Sequence, residues 1–388
     1  VVFFEGEPMQ IVAALAGLIL IVVILADSFQ SMVLPRRVTW RWRPARLFYR
    51  GAWALWRAVA RRLPPGKRRE SFLSVFGPLS LPLLFSLWAG GLVAGFALLH
   101  FALGTPLNGP PLEAGDSVGY LYFSAESFAG YGDLTAGAAA GRFLSVAEAG
   151  LGLGFMAVII GYLPVLYQAF SRREVAISLL DARAGSPPSA GQLLLRLARS
   201  GAGAAAAGPL LAEWERWSGE LLESHLSFPV LSYYRSQHDN QSWLAALTSV
   251  LDACALVLAY GPELGPRYQA QLTFAMARHA AVDLALTFRT PPKPPEPDRL
   301  REEQMRRLRE ELKAAGVALR EDAAACAKLA ELRGLYEPFV QALSDFLLFP
   351  LPAVVPEKAP VDNWQTSAWM RRAAGFGELP APGDDHAD

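Results

Sequence analysis

Three long apolar stretches fall within the first 170 residues, and no soluble fold of ordinary size absorbs so much apolar sequence so early. Met9–Ala26 is eighteen consecutive uncharged residues, just long enough to cross a bilayer as a helix. Phe72–Leu103 exceeds what a span needs, and Pro78 and Pro82 are placed to kink one half of it. The third runs from Phe143 to about Phe170, with Pro164 near its far end. The first stretch has no basic leader and no small-residue cleavage site, so it reads as a retained helix rather than a signal peptide.

Charge orients these spans. Arg36 to Arg69 carries twelve Arg or Lys and no acid, whereas no Lys or Arg lies between Glu70 and Gly141. The positive-inside rule puts the basic segment in the cytoplasm and the 104–141 region outside. Arg172 and Arg173 then mark the cytoplasmic exit of the third span, leaving the N-terminus outside and the C-terminal region inside.

Between the second and third spans lies a short apolar segment, Val118–Ser127, too short to cross and suited to a re-entrant helix. Gly130-Tyr131-Gly132-Asp133 follows it directly. This tetrapeptide resembles the end of the selectivity filter in the pore-loop potassium channel superfamily. In that family rings of main-chain carbonyls from four subunits replace the water around a cation. Glycine reaches the backbone angles that turn successive carbonyls toward one axis. Six residues after Leu134 comes Gly141-Arg142, and then the third span begins. That spacing resembles the two-helix bacterial potassium channels and sets Gly152 where the family has its gating hinge. The likeness covers Phe72 to Ser171, about a quarter of the chain.

The resemblance implies potassium ions held by the carbonyls of Ala129, Gly130, Tyr131 and Gly132, with Tyr131 bracing the filter and Asp133 at its outer end. Two features depart from the family. Its filter usually opens Thr-Val, where this chain has Phe128 and Ala129. Many members place seven residues between Phe-Ser and Gly-Tyr-Gly, whereas Phe123-Ser124 is followed by only five. Both put the innermost cation site in question.

Several polar residues sit at membrane depth. Glu148 lies about two turns into the third span, and an ionisable group there is a functional candidate by default. It either bonds Ser124 or Ser127 on the re-entrant helix, lines the cavity, or is a protonated packing residue. Glu126 is placed to anchor the filter. Gly150, Gly152, Gly154 and Gly161 form a small-residue face suited to close packing, to a hinge at Gly152, or to both. Pro164 is the second candidate bend. His100, at the outer end of the second span, reads as interfacial. Arg46, Arg50, Arg57 and Arg61 share a helical face interleaved with Trp53 and Trp56, which predicts a helix lying on the inner membrane surface against anionic headgroups. Arginine spacing and the absence of partner helices argue against a voltage sensor.

Beyond the pore region helical periodicity dominates: Arg172–Arg183 continues the third span, followed by Gly191–Arg199, Leu210–Leu226, Gln241–Tyr260, Tyr268–Phe288, Arg299–Leu332 and Tyr336–Leu348. Gly185–Ala190 reads as a break, Gly201–Gly208 as loose and Thr290–Pro297 as a proline-rich linker. No nucleotide-binding strand and loop, nucleophile elbow or phosphate loop is present, so no enzymatic activity and no cofactor are expected. Trp214, Trp217, Tyr233, Tyr234, Trp243 and Trp364 serve a core or line a ligand pocket. Cys254 and Cys326 are expected as reduced thiols, and His225, His238 and His279 are too scattered for a zinc site.

The expected fold is therefore an all-α membrane protein with three transmembrane helices, a re-entrant pore helix and filter, and an all-α cytoplasmic domain. Its segments are an N-terminal span (1–35), a basic interfacial helix (36–71), a pore domain (72–171), a helical domain (172–349) and a Pro/Ala-rich tail (350–388). The expected function is a homotetrameric cation channel of a bacterial-type inner membrane, conducting potassium, with an inner-helix gate. Its partners are itself, anionic lipid and an unidentified cytoplasmic ligand or protein, with no nucleic acid. Two alternatives stay open: a non-selective cation pore, and a non-conducting sensor or scaffold with a degenerate pore loop.

Overall fold

The computed structural model describes residues 8–32, 43–109, 116–201, 203–320 and 322–357. It is 76% helical, with twelve α-helices and, among the described residues, no sheet beyond one pair of two-residue strands. The chain divides into two compact units, one of residues 1–62 and 75–167, the other of residues 63–74 and 168–388.

The first unit is built on α1 (Pro8–Met32), α2 (Pro44–Ala60), most of α3 (Lys67–Ala102), α4 (Asp116–Ala129) and the first part of α5 (Ala139–Ala184). Helix α1 packs on α3 through glycines. A Cβ on Gly17 would lie 2.6 Å from Gly95 O, and one on Gly95 would meet Ile21 at 2.6 Å. Gly91 faces Ile24 in the same way, so Gly91-x-x-x-Gly95 lets the two backbones approach as small-residue stripes do in membranes. One turn deeper, Asp27 is buried and saturated. It accepts from Trp88 Nε1 (2.9 Å), Ala45 N (2.8 Å) and Arg43 Nε (3.1 Å), which ties α1 to α3 and to the start of α2. A carboxylate at the N-terminus of α2 also suits that helix's dipole.

Helix α2 carries the arginine face, but Trp53 turns inward, 3% exposed and 4.9 Å from the Phe76 ring. Trp56 reaches the same ring at 5.8 Å. This departs from the expectation of interfacial tryptophans, because Phe76 of α3 offers them an aromatic partner within the protein. Pro78 and Pro82 lie inside α3, and Pro164 inside α5, without ending either helix.

The second unit gathers α6 (Ala190–Arg199), α7 (Gly203–Ser227), a 3₁₀ turn (Pro229–Tyr233), α8 (Trp243–Tyr260), α9 (Arg267–Phe288), α10 (Glu302–Ala314), α11 (Ala323–Gly334) and α12 (Glu337–Leu347). Every residue of α8 is buried, with α6, α9, α11 and α12 packed around it. Ser242 caps its start by accepting from Ala245 N (3.0 Å), and Gly261 ends it at φ +122°. By length and composition four helices could cross a membrane: α1, α3, α5 and α8. They differ in cover. The most apolar stretch of α8 is 94% buried within its own unit, against 11% for α5. A helix apolar on all sides and already enclosed by protein is a core helix.

Two boundaries differ from expectation. The Gly201–Gly208 stretch, expected loose, is helical from Gly203, where four consecutive alanines supply the best helix propensity. Arg299–Leu332, expected as one helix, breaks after Ala314, where Gly316 adopts φ +87°. The 3₁₀ turn and the 290–297 linker carry no α-helix, and most of the 350–388 tail, with Trp364, lies outside the described residues.

Candidate functional site

Helix α4 ends in a glycine cap. Gly130 N donates to Ser127 O (3.2 Å) and Tyr131 N to Glu126 O (2.9 Å), the paired bonds of a Schellman motif, which requires φ > 0 at Gly130. Gly130 has φ +74° and Gly132 φ +77°, whereas Tyr131 between them stays at negative φ. The backbone therefore alternates in hand over three residues. Ala129 to Asp133 is solvent-exposed in the single chain, and the Tyr131 ring, expected as a brace, is 74% exposed.

Phe128 and Ala129 belong to α4 rather than to an extended segment. Phe128 places its ring 6.2 Å from Phe155, and its carbonyl points at Gly152 of α5, where a Cβ would overlap the oxygen.

The segment after the glycines is clamped by side chains from one face of α4. Glu126 Oε2 accepts from Asp133 N (2.9 Å), and Oε1 from Leu134 N (2.9 Å). Tyr122, one turn earlier, donates its hydroxyl to Asp133 Oδ2 (2.8 Å). On the other side β1 (Leu107–Asn108) pairs antiparallel with β2 (Thr135–Ala136). Leu107, Phe123, Leu134 and Ala136 form a small core beneath the loop.

Behind α4 lies a buried polar group. Ser124 Oγ is 2.7 Å from Val93 O and in hydrogen-bonding contact with Glu148 Oε1. Glu148 Oε2 stands 3.8 Å from His100 Nε2, with both side chains fully buried. His100 Nδ1 is 3.2 Å from Thr105 Oγ1, and its ring packs edge-on to Phe123 at 4.9 Å. His100 is therefore not interfacial: Glu148 and Phe123 draw it inside. Among the alternatives for Glu148, the geometry has it facing Ser124. Ser127 contributes only its carbonyl, to the cap.

The remaining candidates are dispersed. Gly150, Gly154 and Gly161 meet no other atom within 4 Å of a built Cβ, so the close packing falls on Gly152. Arg46, Arg50, Arg57 and Arg61 lie along and just past α2. In the second unit Trp214 and Trp217 pack together at 4.6 Å, and Trp243 and Tyr233 are buried as core. His225 is enclosed, 3.3 Å from Arg173 Nη1, and burial and then that guanidinium hold it well below the ordinary histidine range. Cys254 is buried and Cys326 exposed, and both are free. No cluster of three metal-ligating side chains occurs among the described residues.

Sequence reasoning missed Asp27, Gly91 and Gly95, and the partners of His100. Asp27 was open to detection as an acid at the edge of an apolar span. Comparison with known proteins found no matching family model, no matching curated protein and no matching solved structure.

Proposed function

We propose that the chain is one subunit of a homotetrameric cation channel that conducts potassium. In this reading α1, α3 and α5 cross the membrane, α4 is a re-entrant pore helix, and the carbonyls of Ala129 to Gly132 line the ion path. Helix α2 lies on the cytoplasmic face against anionic lipid, and the second unit, with α8 as its core, is cytoplasmic. One loop per chain supplies one carbonyl per ring, so four chains are needed to surround an ion.

The observation that carries this reading is the alternation of positive φ at Gly130 and Gly132 with negative φ at Tyr131, set at the end of a short apolar helix and clamped from both sides. Such alternation turns successive carbonyls toward a common side, as a row of ion sites requires. The bareness of α5 supports assembly: Phe143, Val146, Leu153 and Tyr167 are each at least 66% exposed. A helix so uncovered fits lipid on one side and neighbouring copies on another.

A pore with weak preference among monovalent cations is the second reading. It is favoured by the helical state of Phe128 and Ala129, which leaves the ion row short at its inner end. Potassium-analogue flux into liposomes tests the shared claim. Gly132→Ala forces a side chain into φ +77°, at a cost of about 1–2 kcal/mol in each subunit, and flux is expected to fall by about tenfold or more. Unchanged flux in this variant would remove the 130–133 segment from the ion path.

A further inference from the structure

Three helices of the first unit meet at His100 (α3), Ser124 (α4) and Glu148 (α5), and the polar atoms there do not balance. Glu148 Oε2 and His100 Nε2 are both buried without a hydrogen-bond partner, 3.8 Å apart. Ser124 Oγ has a single hydrogen, yet it contacts two oxygens, Val93 O and Glu148 Oε1. Both contacts are hydrogen bonds only when Glu148 carries a proton and gives it to Ser124 Oγ. The neutral imidazole's own N–H, placed on Nε2 while Nδ1 accepts from Thr105 Oγ1, faces Oε2 and closes the other gap. The site is therefore short of hydrogen rather than of acceptors.

The surroundings leave this pair to itself. Among the described side chains of α4, the ionisable Glu126, Tyr122 and Tyr120 are turned to Asp133 N and Leu134 N, to Asp133 Oδ2 and to Thr105 O respectively. From α5, Arg142 Nε donates to Ala136 O. From the loop after α3, Thr105 Oγ1 meets His100 Nδ1. Phe123 closes the remaining side against the imidazole.

We propose that His100 and Glu148 form a proton-binding site behind the pore helix, and that its occupancy regulates conduction. The inference rests on the pore reading, whose regulation it names. The site is well placed to act on the loop. Glu148 and Gly152 lie one turn apart on α5, and they face Ser124 and Phe128, one turn apart on α4. With Glu148 protonated toward Ser124 and the imidazole N–H on Nε2, the pair is neutral and bridges α3 to α5, which holds α4 in register. Losing the Glu148 proton leaves a buried carboxylate, and the single Ser124 hydrogen then serves only one of Val93 O and Glu148 Oε1. Adding a proton to the imidazole instead leaves a buried imidazolium beside a neutral acid. Either state costs desolvation and loosens the contact.

The test uses the full-length protein in liposomes, with the pH set equal on both sides. Flux is expected to be bell-shaped in pH, with about fivefold or greater loss on each limb. Glu148→Gln removes the alkaline limb, because the carboxyl is gone, and the His100→Gln/Glu148→Gln double variant is flat. Infrared difference spectra of the same samples give a readout independent of conduction. Wild type should show a titrating carboxylic-acid band that Glu148→Gln lacks, with both proteins eluting as the same oligomer. A band with no flux at any pH would overturn the pore reading while leaving the proton site standing. Flux whose pH profile is the same in wild type and the double variant, or no titrating band, would overturn the inference.

Discussion

Arg299→Met is expected to destabilise the second unit by about 3–5 kcal/mol, the cost of stripping one partner from a buried charge cluster. Arg299 leaves α8 no other route to neutralise Asp252. Its Nη2 lies 2.5 Å from Asp252 Oδ2 and its Nη1 3.2 Å from Glu337 Oε1, and Nε and Nη2 both donate to Pro352 O. Burial works against the guanidinium's charge, but the Asp252 carboxylate outweighs it and holds Arg299 above its ordinary range. Tyr336 donates to Asp252 Oδ1 (2.5 Å), and burial, then that carboxylate, keep its hydroxyl protonated far into alkali. Without Arg299, Asp252 sits in the centre of an apolar helix with one hydroxyl for company. The measurement is chemical unfolding of the full chain in detergent, followed through α8's amide protection. Arg299→Met combined with Asp252→Asn should recover part of the loss, since both charges then go. An unaltered midpoint in the single variant would mean the cluster contributes nothing to holding α8.

The second large effect is at Gly152. A side chain there overlaps the Phe128 carbonyl, which is backbone and has no rotamer to change. Gly152→Val is expected to cost about 3 kcal/mol or more, the upper end of overpacking, by prising α5 from the end of α4. The account predicts that the variant loses flux and assembles poorly, whereas Gly154→Ala, where nothing lies within 4 Å, behaves as wild type. Size-exclusion chromatography and flux on both variants check this. A fully active Gly152→Val would rule out both roles, the close contact with Phe128 and the glycine hinge. In the present geometry bending at Gly152 must move Phe128, so α5 and the end of α4 are mechanically joined there.

Much of the first unit was legible because hydrophobic runs of sufficient length have few alternatives. The three stretches in the first 170 residues became α1, α3 and α5, and the short segment between them became α4. The glycines of the 130–133 loop were legible for a similar reason: few backbones other than tight carbonyl-presenting turns need two of them one residue apart. What closes the loop was less so. The Glu126 clamp on Leu134 N depends on how far the chain advances between the two, which residue types do not reveal. His100 looked interfacial because its partners come from α4 and α5, 23 and 48 residues downstream. Asp27 escaped because the first apolar run stops one residue earlier, at Ala26. In the second unit α8 reads by composition as a span, and only the helices packed around it, with Arg299 reaching in from a loop, make it a core.

The most direct test of the central claim is flux of potassium and of sodium through the purified protein in liposomes, with and without barium. The account predicts potassium flux above sodium flux, blocked by barium and carried by a tetramer. Equal fluxes would leave a pore whose row of carbonyls, shortened at Phe128 and Ala129, no longer selects. Absence of flux for both ions from a correctly assembled protein would contradict the account and leave a membrane protein whose Gly130–Asp133 loop conducts nothing.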